Sequence, residues 1–580
     1  MNSLKWIFGY LKKYKLKYFI ALLLVLFTSA INMVNPFISG KIVDRVLGNN
    51  EINLLIPLIS IMIFIVVFKG GVAYIFQMIL EKISQDVLFE IRVNLYDKLL
   101  NLDLNFYNKF KTGDIMARMT GDTDAIRHFV AWVVYNVISC ITTFGFAIVS
   151  MMYVNTTLTM FMLLVSPIIG FLAYKMSKEI SPTFHGIREA YSRLNSIVQE
   201  NISGNRVVRA FGREKFEVDK FTNENENYKD RNLDTIKVTQ KYIPKLEFFS
   251  NILSVVMILV GGILVINKSM TFGELIIFNS LLWALNNPMR MCGYLINDTQ
   301  RFIASSSKII ELLNTESSIK NNIEIVKLTK FKGNIKFENV SLNLDGRRVI
   351  NNISFNIKSG QTIGLVGHTG SGKSLIINLL SRFYDATEGE IYIDNINIKN
   401  IDLDVLRGNI GTAMQDIFLF SDTVKDNIAF GKPRASISEI ENISKKAQAH
   451  GFIKNLDNGY ETVIGERGVG LSGGQKQRVS LARAMMKNAS IFVLDDVTSA
   501  VDMETEKKIQ YELKNMKEKK TTFIIAHRIS SLKQADLILV LDGGEIVERG
   551  THNELIRKSG YYSNIFDTQY GNFNIRTEGI

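Results

Sequence analysis

Gly367-His368-Thr369-Gly370-Ser371-Gly372-Lys373-Ser374 stands between a short β-rich run, Thr362–Val366, and a helical run, Leu375–Phe383. This strand–GxxxxGK[ST]–helix order is a phosphate cradle. Its glycines let backbone N–H groups converge on phosphate oxygens, and the helix adds its positive end. Lys373 is expected to reach the β and γ phosphates, and the Ser374 hydroxyl to ligate Mg²⁺. A second element, Ile491-Phe492-Val493-Leu494-Asp495, is an apolar strand ending in a carboxylate that can hold Mg²⁺ beside the cradle. Between the two, Leu471-Ser472-Gly473-Gly474-Gln475 opens a helix with two glycines, a further anion-binding N-terminus.

These residues need a scaffold, and the chain is long enough for more than one. At 580 residues it exceeds a single core, and its 47% apolar content is unevenly spread. Long apolar runs fill roughly the first 310 residues. With only 7 prolines, long uninterrupted helices are expected. The two cysteines, Cys140 and Cys292, sit in apolar stretches and exclude a disulfide framework or cysteine metal site. The net charge of +12 is dispersed, so no nucleic-acid partner is expected.

Candidate membrane spans are Tyr18–Val34, Leu54–Leu80, Phe129–Tyr153, Leu158–Tyr174, Phe248–Ile266 and Phe272–Leu295. The cluster Lys12, Lys13, Lys15 and Lys17 precedes the first, and no Ala-x-Ala site follows it, so that span is expected to be retained. The long connections Glu81–His128 and Lys175–Glu247 are rich in Lys and Arg, which places them and the N-terminus in the cytoplasm. Ile83, Val87, Ile91, Leu95 and Leu99 recur every fourth residue, so Leu54–Leu100 reads as one helix about 70 Å long. The bilayer core takes about 30 Å of it. A separate soluble hairpin is the alternative. Lys69 is the deepest charge, either lining a cavity or snorkelling or paired internally. Asn32, Asn35, Asn279, Asn286 and Asn287 either line a polar path or bond between helices. The polar stretch from Glu316 to Asn322 reads as a linker. The expected organisation is a membrane domain over 1–313, a linker over 314–332 and a nucleotide domain over 333–580.

The cradle, the strand carboxylate and the Leu471–Gln475 stretch, in this order behind six spans, resemble the ATP-binding cassette (ABC) family and its exporter half-transporters. The resemblance implies an α-helical six-span transmembrane domain fused to an α/β P-loop nucleotide-binding domain, with ATP and Mg²⁺ as cofactors. Gln415 in Ala413-Met414-Gln415-Asp416 matches the Q-loop, Ser499-Ala500-Val501-Asp502 the D-loop, and His527 in Ala526-His527-Arg528 the switch histidine. Ile464-Gly465-Glu466-Arg467-Gly468 resembles the stretch before the signature. The resemblance also implies coupling helices near Gly113–Asp124 and Phe211–Lys215. It implies two nucleotide domains closing head to tail, each ATP lying between one chain's cradle and the other chain's Leu471–Gln475 equivalent.

Two positions depart from the family. Where the family usually has a water-polarising Glu after the strand carboxylate, this chain has Asp496, whose carboxylate is set back by about 1 Å. Where it usually has an adenine-stacking Tyr, this chain has Leu344, at a cost of about 1 kcal/mol of stacking. Both weaken the chain's own site, while Leu471–Gln475, Asp502 and His527 are intact. The expected protein is an ATPase half-transporter in a bacterial plasma membrane. It would export amphipathic drugs, lipids or peptides beside a different half-transporter that bears the Glu. Alternatives are a homodimeric exporter or lipid flippase hydrolysing slowly through Asp496, and a nucleotide-gated regulator that never transports.

Overall fold

The computed structural model describes residues 3–322, 326, 330–465, 468–497, 501–515, 520–526 and 528–570. The chain forms two units, one of Met1–Asn101 with Phe110–Glu316, the other of Leu102–Lys109 with Ser317–Ile580. The first unit is helical. It contains α1 (Lys15–Ile31), α2 (Val34–Lys41) and α3 (Leu55–Leu100). After α4 (Leu104–Lys109), which belongs to the other unit, follow α5 (Val134–Val154), α6 (Thr156–Ser203), α7 (Glu214–Ile266) and α8 (Phe272–Asn314).

The 46 residues of α3 make a rod of about 70 Å, so the expected single helix is found. Its two halves differ in what they face. Ile56, Ile63, Phe64 and Val67 are exposed, as lipid-facing side chains are, whereas Ile83, Val87, Ile91 and Leu95 are buried in the unit. The other long connection is helical too, because α6 runs on well beyond the C-terminal end of its apolar segment, α7 begins well before its own, and the two pack along each other.

Among the described residues, five helical stretches are long and apolar enough to cross a membrane: Ser3–Gly48, Ile52–Leu100, Thr112–Val154, Thr156–Ser203 and Glu214–Ile266. The sixth expected span, Phe272–Leu295, forms the first part of α8 but falls below that apolarity. Glu274, Asn279, Asn286 and Asn287 dilute it. Phe278, Leu281 and Ala284 are fully buried, so this helix meets protein on that face, where a lipid-matching surface is not needed.

Polar groups tie the helices. Lys69 Nζ donates to Asn32 Oδ1 at 2.9 Å, so the deepest charge has an internal hydrogen-bond partner. Asn35 Oδ1 and Asn286 Oδ1 are buried without a partner. At the start of α8, Thr271 and Glu274 form a capping box. The Asp44 carboxylate joins it, accepting from Thr271 Oγ1 and from Gly273 N–H, each at 2.7 Å. A Cβ on Gly273 would lie 2.2 Å from Gly40 O, so only glycine lets α2 and α8 approach this closely. Asp44→Ala removes the acceptor for both donors. It is expected to destabilise the unit by about 1 kcal/mol, read as a fall of about 2 °C in the melting temperature of the detergent-solubilised protein.

The second unit contains two sheets. One is antiparallel, in the order β2-β1-β4-β5, from β1 (Ile335–Leu344), β2 (Arg347–Ile357), β4 (Glu388–Ile393) and β5 (Ile396–Asn397). The other has the order β10-β9-β3-β8-β7-β6. Its strands β3 (Thr362–Gly367), β6 (Ile410–Ala413), β7 (Ile491–Asp495), β8 (Thr521–Ile525) and β9 (Leu537–Asp542) are mutually parallel. Only β10 (Glu545–Gly550) is antiparallel. Ile363, Leu365, Val493, Phe523, Leu539 and Leu541 are buried, as expected for parallel strands covered on both faces. Parallel register brings the carboxyl ends of β3, β6 and β7 to one edge, the usual place for ligands in such sheets.

Leu102–Lys109 folds with this second unit. Leu104 packs against its core, and Asn108 Nδ2 donates to Tyr384 OH at 2.9 Å. The stretch Gly113–Asp124, where the resemblance implies a coupling helix, lies in the helical unit. There Arg118 donates to Lys308 O at 3.0 Å and Asp122 accepts from Ser305 Oγ at 2.7 Å, both on α8. Long polar side chains on both helices favour that pairing over a free surface.

Candidate nucleotide site

The cradle begins where β3 ends. Gly367 has no room for a side chain, because a Cβ would stand 2.1 Å from Leu541 O on the neighbouring strand. Gly372 caps α9 (Lys373–Leu380) at φ +99°, and a Cβ there would approach Ile350 Cδ1 to 2.7 Å. These two constraints force the loop to curl tightly over the sheet edge. His368, Thr369 and Gly370 form its exposed crest, with the His368 ring edge-on to Tyr561 at 5.5 Å.

Lys373 is 7% exposed and its Nζ donates to Gly367 O and His368 O, each at 2.8 Å. Burial pulls this ammonium below the usual lysine range, and Asp495 partly opposes the shift. A polyanion in the cradle would restore the charged form. Ser371 Oγ is buried and lacks a hydrogen-bond partner. Such an orphan fits a phosphate oxygen. Ser374 Oγ donates to Asp495 Oδ2 at 3.2 Å, so two residues 121 apart in sequence meet at the sheet edge. Gln415 lies exposed two residues beyond β6, which pairs with β7. The Ser374 hydroxyl and the Asp495 carboxylate are hard oxygen donors of the kind Mg²⁺ takes together with substrate phosphates.

Asp496 follows at φ +50°, a conformation that Asp tolerates better than most residues. Its N–H donates to Ile525 O at 2.9 Å, and its carbonyl accepts from Gln477 Nε2 at 3.2 Å. The backbone is therefore pinned on both sides. Leu344 closes β1 opposite Arg347, half-buried against the core. Further along that hairpin, Val349 and Ile350 border Gly372, so the hairpin flanks the cradle.

Leu471–Gln475 lies at the start of α10 (Gly473–Met486). Ser472 and Gln475 satisfy each other in a capping box, leaving Ser472 and Gly473 exposed at the helix N-terminus. Asp502 caps α11 (Met503–Lys514), accepting from Thr505 N–H at 2.9 Å, and that bond holds its carboxyl below the usual range. His527, Glu466, Arg467, Ser499 and Ala500 lie outside the described residues.

Three groups that the sequence did not announce support the site. Gln477 fixes the Asp496 carbonyl. Glu506, 4% exposed, accepts from Ser531 Oγ at 2.6 Å and faces Arg528 at 3.8 Å. Arg483 donates to Asn427 O and Phe418 O, each at 2.8 Å, behind the loop that carries Gln415. Each acts through a contact remote in sequence, and only Gln477's place just after the signature was a usable signal.

Asp103 anchors α4. Its carboxylate accepts from the Ser318 N–H at 2.5 Å, the Ser318 hydroxyl at 2.6 Å and the Phe106 N–H at 3.2 Å. Burial alone would raise this carboxyl, but those bonds outweigh it and the carboxyl titrates below its usual range. The stabilisation is thus present above the unfolded value of about 4 and lost as pH falls through the lower folded one. At neutral pH, Asp103→Asn is expected to speed hydrogen exchange of the Phe106 and Ser318 amides about fivefold, after discounting for exposure.

Residues 18–289 match the ABC transporter transmembrane region, and residues 350–499 match the ABC transporter domain. The chain is 39% identical over 572 residues to the uncharacterized ABC transporter ATP-binding protein YknU of Bacillus subtilis (strain 168), covering 98% of each. It is 35% identical to an ATP-dependent lipid A-core flippase of Syntrophus aciditrophicus (strain SB), covering 93% of this chain and 89% of the other. Among solved structures, a bacterial Atm1-family ABC exporter with ATP bound superposes with a TM-score of 0.82 at 26% identity, covering 96% of this chain and 99% of that one.

Proposed function

The chain belongs to the ABC transporter family as a half-transporter with fused membrane and nucleotide-binding parts, and from that premise we propose a division of labour. It is an ATPase-coupled exporter subunit of the plasma membrane, with its nucleotide-binding part in the cytoplasm. In our reading it moves small amphipathic molecules outward, binds ATP at Gly367–Leu375, and hydrolyses it poorly there. Its partner is a different half-transporter with Glu at the position of Asp496. This chain's Leu471–Gln475 and Asp502 complete the partner's site.

One observation carries the reading: Asp496 directly follows Asp495 on a backbone pinned by Ile525 and Gln477. With the main chain held, the missing methylene is not recovered by a shift of the loop. A base set back by about 1 Å from its water loses roughly 10²-fold, or about 2.7 kcal/mol of barrier. In this reading Lys373 and the loop N–H groups orient the phosphates, Ser374 and Asp495 hold the metal's place, and Gln415 supplies a further oxygen ligand. Mg²⁺, when bound, neutralises developing charge on the phosphate oxygens. A partner is supported by surfaces left open on a single chain. Ile202, Val207 and Phe211, at the turn between α6 and α7, are exposed apolar groups, and the Leu471–Gln475 helix start is open.

The test is the ATPase rate of the purified chain alone and after addition of a half-transporter bearing the Glu. Near-background hydrolysis alone, with activity on mixing, is the expected result. Brisk hydrolysis by the single chain type would overturn the heterodimer. ATP-dependent dye movement in proteoliposomes separates a transporter from a nucleotide-gated regulator.

A further inference from the structure

A helix over Ser3–Leu11 precedes α1, joined to it by the single turn Lys12–Tyr14. One face of it belongs to the helical unit. Trp6, Ile7 and Leu11 are buried, and the helix packs against α8. Asn94 Nδ2, on α3, donates to Tyr10 OH at 3.3 Å, and Trp6 meets Tyr10 edge-on at 5.2 Å. Just past the turn, the Tyr18 hydroxyl donates to Val130 O at 3.1 Å. The rest of the unit therefore holds this segment on both sides of the turn.

The other face has no protein over it. Leu4 and Phe8, four residues apart and so on one side of the helix, are exposed, Phe8 to 61%. Beyond the turn, Leu16 and Phe19 are exposed as well. Lys5, Lys12, Lys13, Lys15 and Lys17 stand among these apolar groups, all of them exposed. No acidic residue precedes Asp44 in the sequence, so the charges have no local counter-ion. Among the described residues, only Lys13 of the five finds a carboxylate across the fold, Glu90 at 3.9 Å.

Exposed apolar side chains interleaved with unpaired ammonium groups fit one environment, the boundary between acyl chains and headgroups. Leu4 and Phe8 gain by entering the acyl layer. A lysine stem lies along that layer and lifts its ammonium to the level of the phosphates. Basic residues immediately before the first span place this boundary on the cytoplasmic leaflet. We propose that Ser3–Lys17 is a docking surface for anionic phospholipid headgroups of the inner leaflet, with Lys12, Lys15 and Lys17 supplying the cationic contacts. A cluster of four or more cations beside a span is the pattern that favours anionic over zwitterionic lipid. The proposal goes beyond the export reading and depends on neither Asp496 nor a partner chain, so either can fail alone.

Trp6 lies within this surface and makes its lipid neighbours readable. Trp132 and Trp283 are the other two tryptophans of the chain. The full-length protein carrying Trp132→Phe and Trp283→Phe is placed in nanodiscs of mixed phosphatidylcholine and phosphatidylglycerol. Quenching of Trp6 is measured with bromines on one lipid, then on the other. The relative binding constant is expected to favour phosphatidylglycerol about fivefold, and to fall at least twofold in about 0.5 M sodium chloride, where the screening length is about 4 Å. Combined Lys12→Gln, Lys15→Gln and Lys17→Gln should abolish the preference, and Arg at the same three positions should keep it, with folding verified by gel filtration. Inorganic phosphate at matched ionic strength should do no more than sodium chloride. Equal quenching by the two lipids, a preference insensitive to salt or surviving the Gln variant, its loss in the Arg variant, or displacement by phosphate beyond the salt effect would overturn the proposal.

Discussion

Lys373→Ala is expected to weaken ATP binding at least 100-fold and to abolish nucleotide-driven transport. The ammonium is nearly buried and already bonded to Gly367 O and His368 O, so it stands fixed at the mouth of the cradle before any ligand arrives. Charge-assisted hydrogen bonds contribute about 1.5–3 kcal/mol each, and losing one or two of them accounts for a change of that size. The substitution also strips two loop carbonyls of their donor, which loosens the curl that Gly367 and Gly372 impose. Titration with a fluorescent ATP analogue reads the effect directly. An affinity within threefold of the unmodified protein would mean that the phosphates lie elsewhere.

Asp496→Glu is expected to raise hydrolysis at this chain's own site by about 10²-fold, measured as phosphate release with all other components held constant. The added methylene advances the carboxylate toward its water by about 1 Å, while the N–H bond to Ile525 and the carbonyl bond from Gln477 keep the backbone in place. A counter-effect is built in. At φ +50° a longer side chain is less comfortable than Asp, by about 1 kcal/mol, so a slightly lower melting temperature should accompany the faster turnover. If hydrolysis does not rise, the position of the base is not what holds this site back, and the proposed asymmetry loses its physical cause.

The chemistry of the nucleotide unit was legible because it depends on short contiguous stretches. Gly367–Ser374 sits between a strand and a helix in the structure as it does in the sequence pattern, and Asp495 ends a buried strand as its apolar run predicted. The long rod Leu55–Leu100 was legible for a similar reason, since its four-residue period is written along one face. The expected sixth span was harder. Hydropathy reports average lipid affinity, and α8 spends part of its surface on protein contacts, so its asparagines lower the average without removing the helix.

Other features arose only when distant segments met. That Leu102–Lys109 folds with the nucleotide unit depends on Asn108 finding Tyr384 and Asp103 finding Ser318. No local signal distinguishes these polar residues from their neighbours. A largely apolar cavity in the helical unit is likewise made by three helices, with Gly170 on one of them more than a hundred residues before Pro288 and Gly293 on another. Motif order and periodicity are properties of one stretch of chain, so the sequence by itself determined the family, the phosphate cradle and the long membrane helices. Which side chains meet across the sheet edge, how the Asp496 backbone is clamped, and what the helical unit leaves unfilled are properties of packing between stretches. Those the tertiary structure alone decided.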